Sequence, residues 1–286
     1  MLNFLPLVHY LFLSMKKNRA SFTSYFFLLI LFTFQVNGIA QPNDSWKAGS
    51  AYQLFGQSNT VYCFIETADN PWTETEKKAS LLALQEAQSW LVQQANRWNT
   101  ALSFKNHALA SEAIVVPAIS KGTGSGTERV DWVQQIVCEL GYRNAKHAYK
   151  HLRRKFGNKN IQLIIFARAD GTSYAMRFAK GMRKKKFFLE GILLYQQYSN
   201  ASAMPTAAVI AHELLHLYGA WDLYTTYAQT ADRHAKAIEL YPNDIMLRVD
   251  FRLETLQIDQ LTAWLIGWNK QEEAVFEWFR PSDFKR

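Results

Sequence analysis

Residues 211 to 222 read AHELLHLYGAWD. His212 and His216 are four apart, and residues four apart share one face of a helix. Two neutral imidazoles are then presented to one point, as zinc ligands are. Glu213 follows the first histidine directly. From there it can reach a water beside the ion rather than the ion itself, and serve as general base. Gly219 comes three residues after His216. Glycine enters the left-handed conformation easily, so it can end the helix and swing the chain back. Asp222 lies three residues past that turn, where a carboxylate can be the third ligand and leave a fourth position for water. HExxH alone arises by chance in many chains, so the weight rests on Gly219 and Asp222 as well. Plainer readings of the same residues are two hydrogen-bonded helix histidines beside a surface carboxylate, and Asp222 as a simple turn residue.

The elements that must position these groups can be read from periodicity. Ala203 to Tyr218 is helical and carries the motif. TVYCFIETA (60–68) reads as a strand, and Thr73 to Trp98 as a long amphipathic helix with Thr73 and Glu76 as its capping pair. ALSFKNHA and EAIVVPAI suggest further strands. Arg129 to Phe156 reads as a second helix, broken near Gly141. IQLIIFAR (161–168) has the continuous apolar character of a central strand, and TSYAMRF (172–178) and residues 186–198 follow as two more. Phe251 to Asn269 reads as a final helix. Strands and helices followed by helices around an irregular region suggest an α+β domain with a helix under a sheet.

The chain has 286 residues and is 49% hydrophobic, enough for one domain with a substantial core. Residues 1–40 have the layout of a secretory signal peptide: Lys16, Lys17 and Arg19, an apolar run from Tyr25 to Phe34, and small residues Gly38 and Ala40 before the cut. Met15 is a candidate true start, and an uncleaved signal anchor is the rival reading. The run is short of the roughly 20 residues of a membrane span, so no stable span is expected in the mature chain. Residues 41–59 read as a polar lead-in and 60–286 as a single catalytic-type domain. Net charge is +8. The cations cluster in 143–159 and 180–186, either as solvated faces or as attraction for acidic polymers, anionic surfaces or acidic substrates. No nucleic-acid module surrounds them, and the glycine-rich stretch 121–128 lacks the GK[ST] of a phosphate loop. Cys63 and Cys138 are either a disulfide in an exported chain or two free thiols.

The string HELLHLYGAWD resembles the zincin metallopeptidases, and within them the metzincin branch, whose motif HExxHxxGxx continues with histidine or, as in the snapalysin-like family, aspartate. The resemblance implies one catalytic Zn2+ on His212, His216 and Asp222, with Glu213 as base and a peptide or protein as substrate. It also implies a twisted mixed sheet, an active-site helix, a methionine-containing turn and a C-terminal helix. YPNDIMLR (241–248) offers Met246 for that turn. Arg248 stands where some metzincins carry a transition-state tyrosine. Tyr218 is another candidate for that role, with Tyr224 and Tyr241 open. In a second zincin branch a glutamate some twenty residues on is the third ligand. Glu239 has that spacing within a helical stretch (228–240), but Asn243 stands four after it, Asp244 is one off, and Gly219 would have no role. The expected activity is a secreted zinc metallopeptidase. The alternatives are an exported binding or surface protein that keeps the fold and metal, and a hydrolase of a non-peptide amide.

Overall fold

The computed structural model describes residues 48–120, 131–178, 182–196, 205–226, 229–248 and 252–280, all within one compact unit, Pro42–Arg286. The signal-peptide reading, the cut at Ala40 and the 121–128 loop lie outside the described residues. No helix among the described residues is long and apolar enough to cross a membrane.

Strand β1 spans Gly56–Glu66, four residues earlier than its aromatic run suggests. Helix α1, Glu74–Arg97, starts at the expected capping box: Thr73 accepts from the Glu76 amide while the Glu76 carboxylate accepts from the Thr73 amide at 2.9 Å. This satisfies two otherwise orphaned donors. Strands β2 (Leu102–Ala108) and β3 (Ile114–Val115) follow. The 129–156 segment divides as Gly141 indicates, into α2 (Trp132–Glu139) and α3 (Ala145–Phe156). Gly141 takes φ 80°, where a Cβ is disfavoured. Then come β4 (Ile161–Ala167), β5 (Tyr174–Met176), the single turn α4 (Lys184–Phe187) and β6 (Glu190–Tyr195). Helices α5 (Ala207–Leu217), α6 (Ala231–Leu240) and α7 (Gln260–Leu265) follow, and a 3-10 helix over Ala274–Phe279 comes last among the described elements.

The six strands form one sheet in the order β2-β1-β4-β6-β5, with β3 also beside β1. Every pairing is parallel except the antiparallel β5–β6 edge. β4 is buried at every position, as expected of a parallel strand covered on both faces. Its side chains alternate. Ile164 and Phe166 join the core with α1, α5 and the C-terminal elements, whereas Leu163 and Ile165 join α2 and α3. The molecule is therefore mixed α/β with helices on both faces of a mostly parallel sheet, which is compatible with the α+β expectation.

Two expectations need correction. The segment 186–198 is not one strand, because α4 and a turn precede β6. β6 is also interior, between β4 and β5, so among the described residues β5 forms the edge of the sheet on that side. The helix expected over 251–269 is a 3-10 turn (Leu253–Thr255), an extended link and the six-residue α7. Its apolar positions Leu253, Leu256, Leu261, Trp264 and Leu265 are all buried, but on a chain bent around the Asp244 carboxylate. Asp244 accepts from the Asp259 amide at 2.8 Å and the Thr262 hydroxyl at 3.0 Å. Of the two readings left open for Cys63 and Cys138, the structure shows the free thiols. Cys63 is buried in β1, where desolvation pushes its thiol up to about 12, and Cys138 is exposed on α2.

From residue 48 onward the lead-in is packed into the fold. Ser50, Ala51 and Leu54 are buried, and the Ala51 amide donates to Glu190 Oε2 at 2.8 Å. The Phe178 amide donates to Glu190 Oε1 at 2.8 Å. Burial pushes the Glu190 carboxyl up to about 8, against the two amide bonds and the Arg177 charge that favour its ionised form. The folded protein thus keeps a proton that the unfolded chain releases near 4.5. The Glu190 contribution to stability is complete below that value and is lost as pH rises through about 8. Buried Asp244, raised to about 7, acts in the same direction. Thermal melts in a chelator are expected to drop by about 5 °C or more between acid and alkaline buffers. Glu190→Gln should flatten part of that slope. An unchanged slope would refute the assignment.

Candidate metal centre

Helix α5 begins at Thr206, whose hydroxyl accepts from the Val209 amide at 3.3 Å. The helix is apolar on nearly every side and runs between the sheet and the C-terminal elements. His212 and Glu213 are buried on it, and His216 is only partly exposed at its end. The helix stops at Tyr218. Gly219 then takes φ 105°, a conformation that L side chains rarely adopt, and its amide bonds back to the His216 carbonyl. This turn does two things. It brings the Ala220 carbonyl to His216 Nδ1, 3.0 Å away, and it returns Asp222 to the two histidines.

The three side chains converge. Asp222 Oδ1 lies 3.2 Å from His212 Nε2 and 3.1 Å from His216 Nε2. One ligand atom from each lies within 4.8 Å of the others, and among the described residues this is the group of histidine, cysteine and acidic side chains that could hold a metal ion. The tautomers follow from the chemistry of the partners. A carbonyl only accepts, so His212 Nδ1 must donate to the Ile245 carbonyl at 3.0 Å and His216 Nδ1 to that of Ala220. In the neutral rings both Nε2 atoms then carry lone pairs, aimed at a carboxylate oxygen that is buried and receives no hydrogen bond. Three lone pairs facing one another call for a cation. In its absence a proton serves. Burial opposes charge on His216, but the Asp222 carboxylate outweighs it and pushes the imidazole up to about 9. Burial likewise disfavours the Asp222 anion, yet His216 and His212 hold it far below the usual carboxylate range. The donor set of two imidazoles and one carboxylate fits a zinc ion with an open position.

The turn that carries Met246 adjoins this group. Met246 is fully buried, and its carbonyl accepts from the Leu223 amide at 2.9 Å, one residue after Asp222. Ile245, the neighbour of Met246, supplies the carbonyl that orients His212. Asp244 fixes this turn through the Met246 amide at 2.7 Å, so it supports the turn rather than a histidine directly.

The other candidates are placed elsewhere. Glu239 is exposed on α6 and paired with Lys236 at 2.8 Å, outside the group. Tyr218 is buried beneath the sheet: its hydroxyl donates to Gln162 Oε1 at 2.5 Å and lies 3.0 Å from Ser58 Oγ. As the residue that ends α5, it points into the core, not toward the ligands. Arg248 is exposed and is not brought into the group. Tyr241 packs on Phe279. Tyr224 is the tyrosine at the centre. Its ring lies 6.1 Å from that of His212, and burial together with the Asp222 carboxylate pushes its hydroxyl well above the normal range, so it stays protonated. Its hydroxyl faces the Asp222 carboxylate closely enough to feel its charge, and so can help to orient it. Partners of this kind are worth about 10- to 100-fold in metal affinity. Tyr224→Phe is expected to weaken zinc binding by about tenfold in a chelator competition. Unchanged affinity would remove Tyr224 from the centre.

The sequence matches no protein-family model, and no curated protein matches it significantly.

Proposed function

We propose that the protein is a zinc-dependent metallopeptidase of the metzincin type, acting after export. The observation that carries this reading is the meeting of His212, His216 and Asp222 at one end of a helix that also carries Glu213. A zinc ion held there would supply Lewis-acid polarisation of a peptide carbonyl and would lower the pKa of a water toward about 7. The chain's own residues do the rest. Nδ1 bonds to the Ile245 and Ala220 carbonyls hold the two imidazoles with Nε2 forward, and the Asp222 carboxylate would partly neutralise a bound cation. Glu213 is buried, and its charge is felt at both His216 and Tyr224, which puts it beside the ligands. It accepts the proton of the attacking water and then passes that proton to the departing amine. The strand β5 packs against α5 and is the edge of the sheet among the described residues. An extended substrate can add there by main-chain pairing.

Incubating the zinc-loaded protein with a complex peptide library tests this. Mass spectrometry should find new termini that a chelator abolishes and added zinc restores. Zinc bound without any cleavage would sink the peptidase reading and leave a binding role or a non-peptide amide.

A further inference from the structure

The basic runs of the sequence meet in the fold. Residues 143–159 carry seven Lys and Arg, residues 183–186 carry four, and all eleven are exposed. α3 and α4 pack together, and Tyr149 of α3 meets Phe188, just past α4, with ring centroids 4.9 Å apart. Two segments far apart in sequence thus form one cationic surface. Neither 143–159 nor 182–189 contains an acidic residue. Among the described residues none of the eleven forms an ion pair. The carboxylates nearby do not neutralise it. Asp131, which feels Lys186, is half-buried and caps α2 through the Gln134 amide, and Glu139 stands alone at the end of α2. The field extends to His107, where burial, then Lys155 and Lys105, lower the imidazole pKa.

The eleven cations exceed the net charge of +8, so the rest of the chain is net negative. The charge is therefore segregated onto one face. On α3, Lys146, Lys150 and Arg154 recur every four residues along the outer side, while Ala145, Ala148, Tyr149 and Leu152 face the sheet. In these segments Met182 is the exposed large apolar side chain, directly before Arg183. Tyr52 is the exposed aromatic ring beside this surface, with the Lys159 ammonium 4.1 Å over its centroid, and a single ring falls short of the series of stacking platforms that single-stranded nucleic acid binding uses.

We propose that this surface docks the protein onto anionic phospholipid membranes. Lysines and arginines near such a surface attract it additively, and a neighbouring apolar side chain enters the interface. α2 and α3 cover one face of the sheet, whereas α5 and its histidines belong to the other. Docking through α3 and α4 leaves the metal centre turned away from the lipid. This inference does not rest on the peptidase reading.

Vesicle co-sedimentation of the full chain tests it, using phosphatidylcholine alone and an equimolar mixture with phosphatidylglycerol. The apolar N-terminal run is common to every variant, so its contribution cancels. Wild type is expected to prefer the anionic vesicles and to lose that preference as salt rises above about 0.1 M. K146Q/K150Q/R154Q and K184Q/K185Q/K186Q should each reduce affinity for anionic vesicles by about tenfold or more. K78Q/R252Q/K270Q, which loses the same charge outside the patch, should not. Equal binding to both vesicles, or an equal loss in the control variant, would overturn the proposal. So would binding to an oligonucleotide or an acidic protein without any preference for anionic vesicles.

Discussion

Glu213→Gln is expected to lower kcat/KM for a cleaved peptide by about 1,000-fold, within the range that a positioned general base contributes. The loss should fall almost wholly on kcat, because the amide keeps the size of the carboxylate and loses only its ability to take a proton. Zinc should remain bound, since His212, His216 and Asp222 are untouched. The two readouts together separate this variant from a misfolded one. Loss of activity with loss of zinc would mean that Glu213 holds the centre together. Retained activity would remove it from the role of base.

The second large effect concerns Asp222. Removal of an outer partner costs about 10- to 100-fold in metal affinity, so loss of a ligand should cost about 100-fold or more. Asp222→Asn should show this in a chelator competition, and it should also change the pH dependence. In the metal-free protein His216 keeps its proton up to about 9, because Asp222 outweighs the effect of burial. Zinc must displace that proton, so wild-type affinity should rise about tenfold per pH unit below that value. Without the carboxylate, burial favours the neutral ring, and the variant should bind weakly with a nearly flat profile from neutral pH upward. Parallel profiles for the two proteins would show that Asp222 is not what holds the proton, or the metal.

The site was legible in the sequence because its decisive features are local. Four-residue spacing put the imidazoles on one face. Gly219 needed only its own backbone freedom to turn Asp222 back. The groups that orient those ligands were not legible. The Ile245 carbonyl is backbone, and any residue would supply it. Asp244 stood out only as a near miss in an alternative motif, and its role comes from tertiary contacts with Met246, Asp259 and Thr262. Tyr218 sat beside the motif in sequence, yet the end of α5 directs it to Gln162 and Ser58. The C-terminal apolar spacing fitted one long helix, and it fits equally well a chain bent around a buried carboxylate. The two basic runs were plain as runs. That they adjoin follows only from the packing of α3 and α4.

The most direct test of the account is anomalous diffraction at the zinc edge from crystals grown with zinc. The expected result is one strong peak about 2.0–2.2 Å from His212 Nε2, His216 Nε2 and an Asp222 carboxylate oxygen. A structure in which zinc is absent from that point, with His216 still held to Asp222, would contradict it.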